Sequence, residues 1–152
     1  MIEIIPFEQK YASVFKELNL YWLDLYHLTE QPDLDVLDNP VDTIIEKGGY
    51  IFLAKEGDEI VGSAAIIKEH DNVYELAKMA VTPAFQGKGI SKLLIEKCMA
   101  KAAEIGAERL LLYSNSQLKA ALKLYEKYGF VYVPVTGSPF ATADIKMELV
   151  LS

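Results

Sequence analysis

The chain has 152 residues, of which 51% are hydrophobic and 24% are charged, and its formal net charge is −7. This length and composition are typical of one globular domain and exclude a disordered chain. The negative charge argues against a general nucleic-acid-binding protein, which carries a basic face, and no apolar run approaches the ~20 residues that span a bilayer.

Cysteine and histidine are too few for a disulfide framework or a structural zinc site. Cys98 is the single cysteine, and the two histidines, His27 and His70, are far apart. A disulfide within the chain is therefore excluded, and no metal is expected. Residues 1–6 carry an early acid and no basic residue, unlike a signal peptide. Together with the free thiol, this favours the cytoplasm.

Hydrophobic periodicity predicts alternating strands and helices in the first half of the chain. In order, these are a strand at 2–5, a helix at 7–28, a loop or irregular helix at 31–40, a short helix at 41–46 and strands at 50–55 and 60–68. The last two strands flank Glu56-Gly57-Asp58-Glu59, which predicts a hairpin.

Strands and helices continue to alternate in the second half of the chain. There the hydrophobic periodicity predicts a strand at 73–81, a helix at 87–105, a strand at 109–114, a helix at 118–128 and strands at 130–135 and 143–151. This order is typical of one mixed α/β sheet, of about seven strands, flanked by helices. Cys98 falls on the apolar stripe of the 87–105 helix, which indicates packing and not nucleophilic chemistry.

Charge is distributed unevenly along the chain. Residues 17–46 contain eight acids and no Lys or Arg, whereas residues 78–101 contain five lysines and one acid. Such asymmetry predicts that one region meets cations and the other meets anions. The alternative is two ordinary solvated faces.

The stretch 81–91 has the features of an anion site. A predicted buried strand leads through Gly87 and Gly89 into the start of a helix, beside Lys88 and Lys92. Unpaired N–H groups and the helix dipole favour an anion at such a point. Glycines without Cβ let a phosphate approach the backbone. The stretch matches neither the P-loop nor the G-x-G-x-x-G motif, and a glycine-rich helix start without a ligand is the alternative.

Two motifs together resemble the GCN5-related N-acetyltransferase (GNAT) superfamily. Its acetyl-CoA turn, [Gln/Arg]-x-x-Gly-x-[Gly/Ala], corresponds here to Gln86-Gly87-Lys88-Gly89-Ile90-Ser91. Its later helix, Ala-x-x-x-Tyr-x-x-x-Gly-Phe, corresponds to residues 121–130. The order and separation of the motifs match the superfamily, and the resemblance covers residues 50–130 well.

The resemblance implies a single N-acetyltransferase domain over residues 1–152, with the GNAT fold and acetyl-CoA as co-substrate. The 73–81 strand is then expected to splay from the 109–114 strand, so that the pantetheine arm pairs with backbone groups near Met79 and Val81. The residues expected to bind the co-substrate are Met79, Ala80, Val81, Gln86, Gly87, Lys88, Gly89, Ile90, Ser91 and Asn115.

Two positions depart from the superfamily pattern. Ser91 replaces the last Gly/Ala, where it would either crowd the pyrophosphate or donate its hydroxyl to it. Many members carry Asn where this chain has Leu118, and Asn115 lies three residues earlier. Asn115 is a candidate for ligand binding and equally for a helix N-cap.

Glu75 and Tyr125 are the candidate catalytic residues. Glu75 is an acid within an apolar strand, where burial raises a carboxyl pKa toward neutrality and suits it to deprotonate an amine. The resemblance supports this role, and the alternatives are a solvated Glu, one paired with Lys78, or proton transfer through water. Tyr125 matches the superfamily's general acid for the CoA thiolate and is also a candidate core aromatic.

The acidic segment 17–46 corresponds to the acceptor side in the superfamily, which implies a cationic amine. Trp22, Tyr26 and Tyr50 are candidate aromatic walls, with core packing as the alternative, and His27 is not expected to be catalytic. The implied activity is direct transfer of an acetyl group from acetyl-CoA to a primary amine of a small molecule or protein. The alternative is a CoA-binding module without turnover. Homodimers are common in the superfamily, but no residue here indicates one.

Overall fold

The computed structural model describes residues 1–151, and a mixed seven-stranded sheet forms its centre. The strands are β1 (Ile2–Pro6), β2 (Tyr50–Glu56), β3 (Glu59–His70), β4 (Val73–Val81), β5 (Arg109–Ser114), β6 (Val131–Val133) and β7 (Ile145–Val150). Their order across the sheet is β1-β2-β3-β4-β5-β7-β6. The predicted mixed sheet with flanking helices is confirmed.

Four α-helices flank the sheet: α1 (Ala12–Leu25), α2 (Gln31–Asp38), α3 (Ile90–Glu104) and α4 (Lys119–Lys127). Short 3₁₀ turns at Gln9–Tyr11 and Pro83–Phe85 precede two elements, and Val41–Ile45 forms one π-helical turn. Helix α1 begins later than predicted because the first of these turns precedes it. No helix within residues 1–151 is both long and apolar enough to cross a membrane.

Helix α2 replaces the loop or irregular helix predicted from the prolines and aspartates of 31–40. The Glu30 N–H donates to the Asp33 carboxylate at 3.0 Å, which satisfies a backbone donor just before the helix. Pro32 lies in the first turn, where a missing N–H costs nothing. The residues that suggested a loop are therefore helix-start residues.

The sheet separates two apolar cores. One lies under α3 and α4 and contains Cys98 and Tyr125, together with Leu94, Leu110 and Met147. The other lies under α1 and α2 and contains Phe15, Leu37, Ile44 and Leu53. Cys98 is fully buried, and desolvation raises the pKa of its thiol to about 12. The prediction that Cys98 serves packing agrees with this position.

Strands β4 and β5 diverge after a short parallel contact. Only Val73–Glu75 pairs with Arg109–Leu111 among the described residues, although β4 continues to Val81. The remaining edges of the two strands face a gap. This divergence is the splay that the superfamily resemblance implies.

A β-bulge interrupts β4 on its other side. Ser63 pairs with Ala80 and Ala65 pairs with Ala77, so β4 has one residue more than β3 between the two pairs. Lys78 occupies this bulge with φ 52°, in the left-handed region that an L-residue enters at a cost. The bulge changes which face of the sheet the following side chains reach.

Candidate active site

A cavity of about 690 Å³ lies between the diverging strands β4 and β5. It extends from the start of α3 to the space between α1, α2 and the end of β5. Among the residues that line it are eleven of the twelve predicted site residues: Glu75, Met79, Ala80, Val81, Gln86, Gly87, Gly89, Ile90, Ser91, Asn115 and Tyr125. Lys88 is the exception, since it is exposed and its ammonium lies 4.9 Å from the centre of the Phe85 ring.

The start of α3 provides an open cradle for an anion. Gly87 and Gly89 have φ of 75° and 79°, and a Cβ added at either would meet no atom within 4 Å. Because φ is positive, a side chain at either position would be strained. It would also project into the open space from which an anion can approach the free N–H groups. Ser91 and Lys92 line the same end of the cavity. These features fit the diphosphate of acetyl-CoA.

The end of β4 is held by two side chains that bond one carbonyl. The Val81 oxygen accepts hydrogen bonds from Trp22 Nε1 at 2.8 Å and from Gln86 Nε2 at 2.9 Å. Trp22 comes from α1, and Gln86 comes from the turn before α3. The two bonds therefore fix the end of β4 between α1 and the anion cradle.

Glu75 is the buried carboxyl of the cavity. Its residue is 8% exposed, and no salt bridge with Lys78 or any other described cation is formed. Desolvation, with a smaller contribution from the Glu69 charge, raises the pKa of Glu75 to about 7. A carboxyl with this pKa exchanges protons near neutrality, as a general base must.

Tyr125 lines the cavity from α4, with its ring 5.9 Å from that of Phe130. Desolvation raises the pKa of its hydroxyl to about 12. The hydroxyl therefore keeps its proton at neutral pH and is available as a donor. Tyr125 both belongs to the core and faces the cavity, so its two predicted roles are compatible.

Asn115 shapes the junction between β5 and α4 without being the N-cap of that helix. Its Oδ1 accepts from the Gln117 N–H at 3.0 Å, and its Nδ2 donates to the Thr142 carbonyl at 2.8 Å. Helix α4 begins only at Lys119, with Leu118 as the N-cap. The N-cap interpretation is therefore wrong, because a turn intervenes between Asn115 and the helix.

The bulge places a buried ion pair at the end of the cavity beside α2. The Lys78 ammonium lies 2.6 Å from Asp33 Oδ1, and the two side chains are 7% and 4% exposed. Both residues line the cavity. In the sequence, Lys78 belongs to the lysine-rich segment 78–101, and Glu75 is its candidate partner. The pairing with Asp33 was missed because it depends on the bulge and on α2.

Two buried polar side chains, Ser63 of β3 and Asn19 of α1, support this bulge through hydrogen bonds. The Ser63 hydroxyl donates to the Lys78 carbonyl at 2.8 Å and accepts from Asn19 Nδ2 at 3.1 Å. Asn19 and Ser63 are both buried. Their hydrogen bonds offset the cost of the strained backbone at Lys78.

The segment 134–144, here called the strap, contributes Phe140, Thr142 and Ala143 to the wall of the cavity. Glu30 accepts from the N–H groups of Ala141 and Thr142, at 2.8 and 2.9 Å, and from the Thr142 hydroxyl. These bonds lower the pKa of the Glu30 carboxyl. Phe140 of the strap lines the cavity beside Tyr113. The sequence counts Glu30 among the acids of 17–46, but its contact with the strap is not predicted, because no local pattern relates the two segments.

The predicted acceptor-side residues divide between the cavity and other places. Trp22 and Tyr26 line the cavity, whereas Tyr50 packs under the Lys101 ammonium, 5.0 Å away. His27 is exposed. Of the eight acids in 17–46, Asp33 is the one that lines the cavity in the described part of the chain, and Lys78 balances its charge.

Comparison with protein families agrees with this geometry. The acetyltransferase (GNAT) family model matches residues 12–130. The chain belongs to the GNAT acetyltransferase family. An uncharacterized N-acetyltransferase of Escherichia coli, YjgM, is 32% identical over 71% of this chain and 69% of its own length. A Mycobacterium tuberculosis N-acetyltransferase is 36% identical over 53% of this chain, which spans about half (51%) of that relative.

Solved structures share the GNAT fold along the whole chain. A GNAT acetyltransferase from Staphylococcus aureus has a TM-score of 0.91 at 21% identity and covers 100% of both chains. The Salmonella typhimurium protein YncA, solved with acetyl-CoA, has a TM-score of 0.79 at 20% identity over 100% of this chain and 95% of its own. The expected GNAT fold is thereby confirmed.

Proposed function

We propose that the protein transfers the acetyl group of acetyl-CoA directly to a primary amine of a small molecule or protein. The observation that carries the proposal is the continuous cavity, which joins the glycine cradle of α3 to Glu75 and Tyr125 through the β4–β5 gap. Family membership supports the reaction class. The acetyl-CoA bound in the related YncA structure supports the co-substrate.

The cradle and the β4 edge hold the co-substrate in this proposal. Free N–H groups at Gly87, Gly89 and the first turn of α3 bind the diphosphate, and Ser91 offers a hydroxyl to the same group. The unpaired edge of β4 near Met79 and Val81 bonds the pantetheine amides as a neighbouring strand would. The open space beside Gly87 and Gly89 supports this arrangement.

The chemistry then uses two side chains and one backbone donor. Glu75 takes a proton from the ammonium of the acceptor, directly or through water, and the freed nitrogen attacks the thioester carbon. A β4 N–H stabilises the oxyanion that forms. As the C–S bond breaks, the Tyr125 hydroxyl donates its proton to the leaving thiolate, and the second proton that the nitrogen loses restores the hydroxyl. The products are an N-acetyl amine and CoA.

Release of the CoA thiol against a panel of amines tests this function. We expect release that depends on both acetyl-CoA and an amine, and that falls in the Glu75→Gln and Tyr125→Phe variants. Cys98 is fully buried, so the folded protein adds little background to a thiol assay. Tight acetyl-CoA binding without release for any amine would instead indicate a CoA-binding module without turnover.

A further inference from the structure

The bulge in β4 determines which charges face the acceptor. In regular alternation Lys78 would share the face of Tyr74 and Leu76, whose side chains belong to the core under α3 and α4. The extra residue instead brings its side chain to α2, where it meets Asp33. Two cavity-lining side chains of β4, Glu75 and Lys78, therefore lie on the acceptor side with Asp33.

The Lys78 ammonium has donors that Asp33 does not use. An ammonium group has three N–H donors, and its hydrogen bond within the described protein is the one to Asp33 Oδ1. The Phe140 ring lies 5.2 Å from the same nitrogen and shields one side. A buried, cavity-lining cation with spare donors is a binding point for a carboxylate.

The charges that line the cavity favour an acceptor with one ammonium and one anionic group over an acceptor with two ammonium groups. Lys78 pairs with Asp33, so among the described residues Glu75 is the one cavity-lining acid with no salt-bridge partner. A diamine or polyamine would bring a second ammonium with no free carboxylate in the cavity to meet it. A zwitterion would place its ammonium at Glu75 and its carboxylate at Lys78.

We propose that the acceptor is an amino acid or a similar small amine that carries a carboxylate, and that Lys78 binds this carboxylate. The proposal rests on the proposed function for the fate of the amine. Asp33 then acts as a positioning residue, because it holds the Lys78 ammonium at the cavity wall.

Binding to the CoA-loaded protein tests this without relying on turnover. Calorimetry would compare α-, β- and γ-amino acids with their amides, with monoamines that lack the carboxylate, and with diamines of equal length. We expect at least one amino acid to bind about tenfold or more tightly than its monoamine, as a charge-assisted hydrogen bond allows. Equal or tighter binding of every monoamine or diamine would overturn the proposal.

Three variants separate carboxylate binding from a purely structural ion pair. Lys78→Met should remove the preference for the carboxylate. Asp33→Asn removes the anion that pairs with Lys78, so the preference for the carboxylate should stay the same or increase. The double variant carries no unpaired buried charge, so its fold is protected, yet it still lacks the preference. A double variant with wild-type preference would refute the role of Lys78. Lys68→Met, at an exposed β3 position, is the control that leaves the preference unchanged.

The same panel of amino acids, amides and amines distinguishes the proposed acetyl transfer from the proposed carboxylate site at Lys78. Acetylation of amines with no preference for a carboxylate, in binding or in kcat/KM, would refute the inference and leave the proposed function standing. A Lys78-dependent preference in binding without CoA release would refute the proposed function and support the carboxylate site.

Discussion

Glu75 carries the largest electrostatic cost among the proposed catalytic residues. Its pKa of about 7 exceeds the ordinary value of 4.5 because the protein buries the carboxyl. As a base it must be ionised, so kcat/KM is expected to rise with pH through about 7. Glu75→Gln should abolish this rise and lower the rate. A wild-type profile that is flat between pH 5 and 9 would contradict the role of base.

The same pKa predicts a stability effect of Glu75→Gln. A raised pKa means that folding disfavours the charged carboxyl, so the cost is absent below about pH 4.5 and complete above about pH 7. Gln should therefore stabilise the protein by about 3 kcal/mol at pH 8 and by little at pH 4. Urea unfolding at both pH values measures this. The exposed strand variant Glu3→Gln is the control, with no comparable gain expected.

Tyr125→Phe isolates the hydroxyl from the packing of the ring. Because Phe keeps the contact with Phe130, we expect kcat to fall by about 10²-fold, with much less change in acetyl-CoA affinity. Steady-state kinetics and calorimetry measure the two quantities. An unchanged kcat at saturating substrates would remove Tyr125 from the role of acid.

At the level of elements, the turn into α3 determines cofactor access. Gly89→Val adds a side chain to open space at φ 79°, so both strain and steric exclusion are expected to weaken acetyl-CoA binding. Gly106→Val is the matched control, since Gly106 has φ 77° and equally open surroundings but does not line the cavity. Both variants carry similar backbone strain, about 1–2 kcal/mol. Equal affinity in calorimetry would show that the cradle is not where the co-substrate binds.

One carboxylate of the α1–α2 connection holds the strap at Ala141 and Thr142. Glu30→Ala removes the acceptor of three hydrogen bonds, so the amides of Ala141 and Thr142 should exchange hydrogen faster. The KM for the acceptor should rise, since Phe140 of the strap forms part of the cavity wall. Asp35→Ala, at an exposed position of α2, is the control. Unchanged exchange in the strap would show that other contacts hold it.

Local patterns predicted elements well and irregular backbone poorly. Strands β4 and β5 lie at the predicted boundaries because alternating and apolar runs are local signals. For residues 31–40 a loop and an irregular helix stayed open, because the prolines and aspartates that begin helix α2 are also common in loops. The bulge at Lys78 has no local signature, since Ser63 and Asn19 stabilise it from distant parts of the chain. Local patterns therefore predicted most residues that line the α3 end of the cavity, and they did not predict the Lys78–Asp33 pair at its other end.

For the whole molecule, the charge asymmetry of the sequence is only partly a property of the site. Most acids of 17–46 are exposed, and the cavity receives Asp33 alone from that segment in the described residues. Summed charge along a chain does not specify which groups face a cavity. Burial and pairing decide the local charge, and here Lys78 offsets the one acid of 17–46 that lines the cavity, so that Glu75 from β4 is the remaining acid.

Ligand binding should stabilise the whole fold, because acetyl-CoA would contact α3, β4 and the gap beside β5 together. At a concentration 100 times its dissociation constant, a ligand that binds only the native state adds about 2.7 kcal/mol. We expect a rise in Tm that grows with the logarithm of acetyl-CoA concentration and is reduced in Gly89→Val. Thermal scans measure this, and ATP at equal concentration is the control. An equal rise with ATP would indicate general nucleotide binding.

The divergence of β4 and β5 leaves the two halves of the sheet joined by three residue pairs. A metabolite bound in the opening would add contacts between the halves, and unfolding would then be more cooperative. Lifetime against proteolysis would follow the supply of the thioester, so that starvation for activated acetate would lower the amount of protein as well as its turnover.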